Sequence, residues 1–99
     1  MKTTNVNGIE LAYDVQGEGE PVLFIHGAIF ADFLRPLAEQ PAFSRFQRIR
    51  YHRRGYAGSS PVPAQFSIEQ QAADCRALLR QLGIEHLKQI LTRGVLVDL

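Results

Sequence analysis

The chain has 99 residues, 45% of them hydrophobic and 21% charged, with a formal net charge of +1 and one cysteine. That length fits one small domain, not two, with about 60–70% of the unfolded surface buried on folding. A balance so near neutral argues against disorder and offers no global field for nucleic acid or an anionic membrane. Cys75 alone cannot form an internal disulfide, and it fits a reducing compartment. No apolar h-region follows Met1 and no apolar run reaches the length of a membrane span, so a soluble, cytoplasmic protein is the expectation.

Asn7-Gly8 is a strong hairpin signal, because a type I′ turn needs positive φ at both central residues. Thr3 to Val6 before it reads as a short first strand. After it, Ile9, Leu11, Tyr13 and Val15 alternate with Glu10, Ala12, Asp14 and Gln16, the period of a strand with one face inward. Gly17-Glu18-Gly19-Glu20 is a flexible acidic turn. Next comes Pro21-Val22-Leu23-Phe24-Ile25-His26-Gly27, the stretch on which the rest depends. Four large apolar residues in an unbroken run predict a strand covered on both faces, as in parallel sheets. Gly27 ends it with a tight turn, and open α/β sheets place their sites at such strand ends.

From Ala31 to Gln40 the spacing of Phe33, Leu34, Leu37 and Ala38 predicts a helix, with Asp32 as its cap, Pro36 in its first turns and Pro41 as its stop. Phe46 to Tyr51 alternates less cleanly as a strand, and Arg53 to Pro61 is a loop by its glycines and closing proline. The clearest helix runs from Ser67 to Leu82. Ser67 with Gln70 forms a capping box, Ile68, Ala72, Cys75, Leu78, Leu79 and Leu82 share a face, and Gly83 is the C-cap. No repeat or linker interrupts the chain, so strands and helices in this order predict an α/β layer with a partly parallel sheet.

The chemistry is sparse. His26-Gly27 admits two readings: a satisfied structural histidine before a turn, or a strand end whose following backbone N–H groups face a developing negative charge. Arg48, Arg50, Arg53 and Arg54 invite a phosphate or nucleic-acid reading, but no aromatic stacking pattern accompanies them, so a solvated or ion-paired surface is expected. Gly55 to Gly58 lacks the Lys-Ser/Thr of a phosphate cradle. His26, His52 and His86 have no metal-ligand spacing, Cys75 reads as packing, and Ser59 and Ser60 as turn hydroxyls.

Four blocks together resemble the N-terminal part of an α/β-hydrolase fold protein: Asn7 to Tyr13, Val22 to Gly27, Tyr51 to Ser59, and Ala73 to Glu85. The match covers about residues 5–87 of a single partial domain spanning 1–99, with 88–99 a divergent tail. The fold it implies is a partial α/β-hydrolase sheet: an N-terminal antiparallel hairpin plus parallel strands, with two main helices. In the third block the family often shows Asp-x-Arg-Gly-x-Gly-x-Ser, and here His52 and Ala57 replace the Asp and the first of the later glycines. The resemblance implies an oxyanion-hole contribution from the backbone at Ala28, with Gly27 and His26 beside it.

The family's nucleophile elbow, G-x-S-x-G, would fall on Leu91-Thr92-Arg93-Gly94-Val95, which puts Arg93 in the nucleophile's place. A guanidinium stays protonated and cannot attack a carbonyl. The family's acid and catalytic histidine lie beyond Leu99 by the same count. The expectation is therefore a hydrolase of esters or similar small substrates when complete, here a fragment altered after about residue 87 and inactive alone. No cofactor, metal, nucleic-acid or membrane partner is expected, and a small-molecule substrate only for the complete protein. In the family's sheet the Val22–Ile25 strand lies between the fourth strand and a fifth. Either 88–92 or 94–97 is expected to fill the fifth place. If neither does, the open edge predicts self-association, which makes a non-catalytic interaction module the alternative.

Overall fold

Asn7 and Gly8 sit at φ +48° and +83°, the left-handed pair that a type I′ turn demands. They join strand β1 (Lys2–Val6) to strand β2 (Ile9–Gln16) in antiparallel register, Val6 opposite Ile9 and Lys2 opposite Tyr13. The computed structural model describes residues 1–26, 32, 34–59, 68–85, 87, 89–92 and 95–98. Strand β3 (Pro21–Ile25), helix α1 (Arg35–Ala38), strand β4 (Gln47–Tyr51), helix α2 (Ile68–Gln81), strand β5 (Gln89–Thr92) and strand β6 (Val95–Asp98) follow.

One mixed sheet of order β1-β2-β4-β3-β5-β6 holds all six strands. β3 is parallel to β4 on one side, Val22 opposite Arg48, and parallel to β5 on the other, Val22 opposite Gln89. The fifth place expected from the resemblance is thus filled by Gln89–Thr92. The second candidate segment also forms a strand, folding back antiparallel on the first with Thr92 opposite Val95.

The unbroken apolar run of β3 is explained by two cores. Leu23 faces Leu11, Ile49, Tyr51, Val6 and Leu78 on the α2 side, all buried. Val22 and Phe24 face Leu34 and Ala38 on the α1 side, with Phe43 edge-on to Phe24 at 5.3 Å between centroids. A strand that alternated polar and apolar residues would bury a polar side chain in one of them. Helix α2 supplies Leu78 fully, and Cys75, Leu79 and Leu82 in part. It ends as expected: Gly83 at φ +74° donates to the Arg80 carbonyl, and the Ile84 N–H to the Leu79 carbonyl, the paired bonds of a Schellman motif.

The start of α1 differs from the reading of the sequence. Helix α1 is a single turn whose N-cap is Leu34, with no side-chain cap bond, and Asp32 is drawn off to other partners. Past it, Pro41–Phe43 form a 3₁₀ turn, so Pro41 opens a new turn where it was expected only to stop the helix. Ser67, the expected cap of α2, lies outside the described residues. Its partner in the capping box, Gln70, donates from Nε2 to Asp74 at 3.1 Å. Among the described residues no helix is long and apolar enough to cross a membrane.

Candidate functional site

Because β3 and β4 are parallel, their C-terminal ends open on the same side of the sheet, where His26 follows one and the loop 52–59 follows the other. The His52 N–H continues the ladder to the Ala12 carbonyl at 2.9 Å. Ser59 closes the loop: its Oγ accepts the Ala12 N–H at 2.9 Å and donates to the His52 carbonyl. The turn hydroxyl expected at Ser59 is therefore a buried brace with both bonding roles committed, which leaves it no part as a nucleophile. Ser60 lies outside the described residues.

His52 is buried, and both ring nitrogens are used. Nδ1 accepts the Gly58 N–H at 3.0 Å, so the ring proton belongs on Nε2, 2.8 Å from Asp32 Oδ1. Gly58 allows this approach, since a Cβ there would come within 3.0 Å of the Ala12 Cβ and 3.3 Å of the His52 Nδ1. The His52 hydrogen bond, helped by the Arg50 charge against partial burial, holds the Asp32 carboxyl below its ordinary value. At the other strand end His26 is also buried. Its Nε2 accepts the Arg53 N–H at 2.9 Å, and its ring meets Tyr56 edge-on at 4.7 Å. For the side chain of His26 this is the structural reading of the two. The backbone reading falls on Gly27 and Ala28, which lie outside the described residues.

The arginines are paired, and more deeply than a solvated surface would have them. Arg50 spans Asp14 at 3.3 Å and Asp32 at 3.2 Å, its side chain 12% exposed. Arg48 Nη1 reaches the Ala38 carbonyl at 3.4 Å, and Arg53 donates to Gln71 while lying 4.9 Å over the Tyr56 ring. Arg54 grips Asp74 through two bonds of 2.7 and 2.9 Å.

Asp74 was the residue that sequence reasoning missed. It sits on α2, 2% exposed, and also accepts from Asn7 at 3.0 Å and Gln70 at 3.1 Å. Burial alone would raise its pKa, but the bonds from Arg54, Asn7 and Gln70 outweigh that and hold it below the ordinary carboxylate value. The signal available was a carboxylate four residues from Leu78 on an otherwise apolar stripe. Burial pushes the Cys75 thiol up, and its contacts are with the core, in keeping with packing.

On the α1 side of the sheet a polar groove of about 590 Å³ runs past Asp14, Asp32, Arg50, His52 and Gly58. Among the described residues no group of three or more His, Cys, Asp or Glu could hold a metal ion. Only two residues separate β5 from the antiparallel β6, and these, Arg93 and Gly94, lie outside the described residues.

No family model matches the chain. Over 82 residues, 82% of its length, it is 30% identical to a non-heme chloroperoxidase from Kitasatospora aureofaciens, and it spans about 30% of that relative. An epoxide hydrolase from Bacillus megaterium superposes with a TM-score of 0.79 at 28% identity, over 92% of this chain and 32% of the other. An α/β-hydrolase fold protein from Burkholderia ambifaria gives 0.80 at 28% identity, over 92% and 33%. An enol-lactonase from Burkholderia xenovorans gives 0.82 at 23% identity, over 92% and 36%, a likeness of fold alone.

Proposed function

The chain is a partial α/β-hydrolase fold, and from that premise we propose that it carries the oxyanion side of a hydrolase site but no covalent route of its own. The oxyanion donors are the backbone N–H groups at Gly27 and Ala28, beyond the buried His26. They stand past the end of a central parallel strand, where this sheet type gathers its reacting groups. With a nucleophile and base supplied, the substrates are esters or similar small electrophiles, in line with the epoxide chemistry named for a structural neighbour. A reducing, cytoplasmic setting belongs to the same reading, as does the absence of a nucleic-acid role. The free Cys75 supports the first and the engaged arginines the second.

The observation that carries the inactivity is the β5–β6 connection. A nucleophile elbow is a sharp strand-to-helix turn that lifts its side chain clear of the sheet, and here the next element after β5 is an antiparallel strand, β6. His26 and His52 each spend a ring nitrogen on a backbone N–H, which removes it as a proton acceptor for a nucleophile. The purified chain is expected to release p-nitrophenol from p-nitrophenyl acetate no faster than an unrelated protein at equal mass. Steady turnover that disappears in Ala28→Pro, which deletes the backbone donor, would falsify the proposal.

A second reading, a non-catalytic interaction module, loses the edge it was expected to use and keeps only the outer ones. The edge beside β3 is closed by β5, so any edge pairing is displaced to the outer strands β1 and β6.

A further inference from the structure

The two outer strands are unequal. β1 is Lys2-Thr3-Thr4-Asn5-Val6, one charge and three polar residues, and α2 reaches over to it. The Gln81 side chain donates to the Asn5 carbonyl at 2.5 Å and accepts from Thr4 Oγ1, occupying edge groups that another strand would need. Lysine on an edge and a covering element are the usual means of blunting it. β6 is Val95-Leu96-Val97-Asp98, three residues of apolar strand-forming type with no proline, glycine or lysine among them. Among the described residues no strand pairs with its outer edge.

We propose that the outer edge of β6 pairs with β6 of a second copy of this chain, antiparallel about a two-fold axis at Val97. The register follows from the hairpin. Thr92 and Val95 flank a two-residue connection and form a hydrogen-bonded pair, so by the alternation of an antiparallel ladder Leu96 and Asp98 turn their N–H and C=O groups outward. An axis at Val97 sets Leu96 opposite the partner's Asp98 and Asp98 opposite the partner's Leu96. All four outward pairs of backbone groups are then satisfied, and the two like charges are not placed directly opposite. An isologous pairing of this kind closes on itself as a dimer. By contrast β1, with Asn5 already bonded, offers a poorer template. The inference rests on the interaction-module reading and names its partner and surface.

Light scattering on eluted protein over a wide range of concentration tests it, with Leu96→Pro as the variant. Proline at an outward-facing position of an edge strand removes the donor to the partner while sparing the bonds to β5. The wild-type chain is expected to pass from 11.1 kDa to twice that mass as concentration rises. Leu96→Pro should stay at the lower mass, with unchanged exchange protection of the β1–β2 amides. If Leu96→Pro disturbs those amides, Val97→Lys replaces it with the same expectation, because the axis sets the two introduced charges directly opposite, and Thr4→Lys on β1 should leave the dimer intact. A dimer that survives both Leu96→Pro and Val97→Lys overturns this inference but not the interaction module. A chain that remains at 11.1 kDa throughout overturns both.

Discussion

The sheet keeps its charges differently on its two faces. On the α2 face a large apolar core surrounds one carboxylate, Asp74, which is almost wholly buried and bonded by Arg54, Asn7 and Gln70. On the α1 face the core is smaller, and the carboxylates that engage Arg50 stay wet, the side chains of Asp14 and Asp32 being 26% and 52% exposed. A tally of ion pairs ranks the faces the other way, setting Arg50–Asp14, Arg50–Asp32 and His52–Asp32 against Arg54–Asp74. The faces differ in what a lost partner leaves behind: a stranded buried charge on one face, a hydrated one on the other.

The largest effect is expected where the charge cannot escape. Arg54→Leu strands the Asp74 carboxylate between the hairpin, the loop and α2, and should cost about 3–5 kcal/mol in urea unfolding. A loss no larger than that of a surface substitution would put Asp74 in the same class as Asp32. Acid offers a second probe of the same contact. Since the Asp74 pKa is depressed in the folded chain, its contribution is fully present above the ordinary value of 3.8 and is lost as pH falls through the lower, folded value. That acid-side loss should be muted in Arg54→Leu.

An intermediate effect, of opposite sign, is expected on the loop between the faces. Ala57 occupies the place of a family glycine at φ +40°, a left-handed conformation that costs a residue with a Cβ about 1–2 kcal/mol. Ala57→Gly should raise the urea midpoint, by about 1 kcal/mol or less once the added freedom of the unfolded glycine is set against it. The smallest effect belongs to Asp32→Ala, about 0–1 kcal/mol, because solvent takes over for Arg50 and His52. A cost above about 1 kcal/mol would show that the His52 bond matters more than its exposure implies.

How much of this was legible depended on sequence range. Asn7-Gly8, the run Val22 to Ile25 and the stop at Gly83 were readable because turn chemistry, burial on two faces and a C-cap are each decided within a few residues. Asp32 was read as a helix cap because a cap is the local use for such a residue. His52 and Arg50 outcompete that use, 20 and 18 positions away in the chain. Asp74 stood in a block matched to a family; its place four residues before Leu78 marked it as buried, but nothing local named its distant partners, a hairpin turn and a loop. The tail offered two candidate strands for one place, and local pattern could not reveal that they pair with each other. For the site, the bonding of His26 and Ser59 was invisible in sequence for the same reason, since both side chains bond to backbone distant in the chain.

The parallel pairing of Val22–Ile25 with Gln89–Thr92 also has a meaning in time. A chain made from its N-terminus at about 5–20 residues per second presents its most apolar strand several seconds before the neighbour that covers one flank exists. Contacts so distant in sequence form late and slowly. During that interval the bare hydrophobic ribbon is open to contacts with other chains.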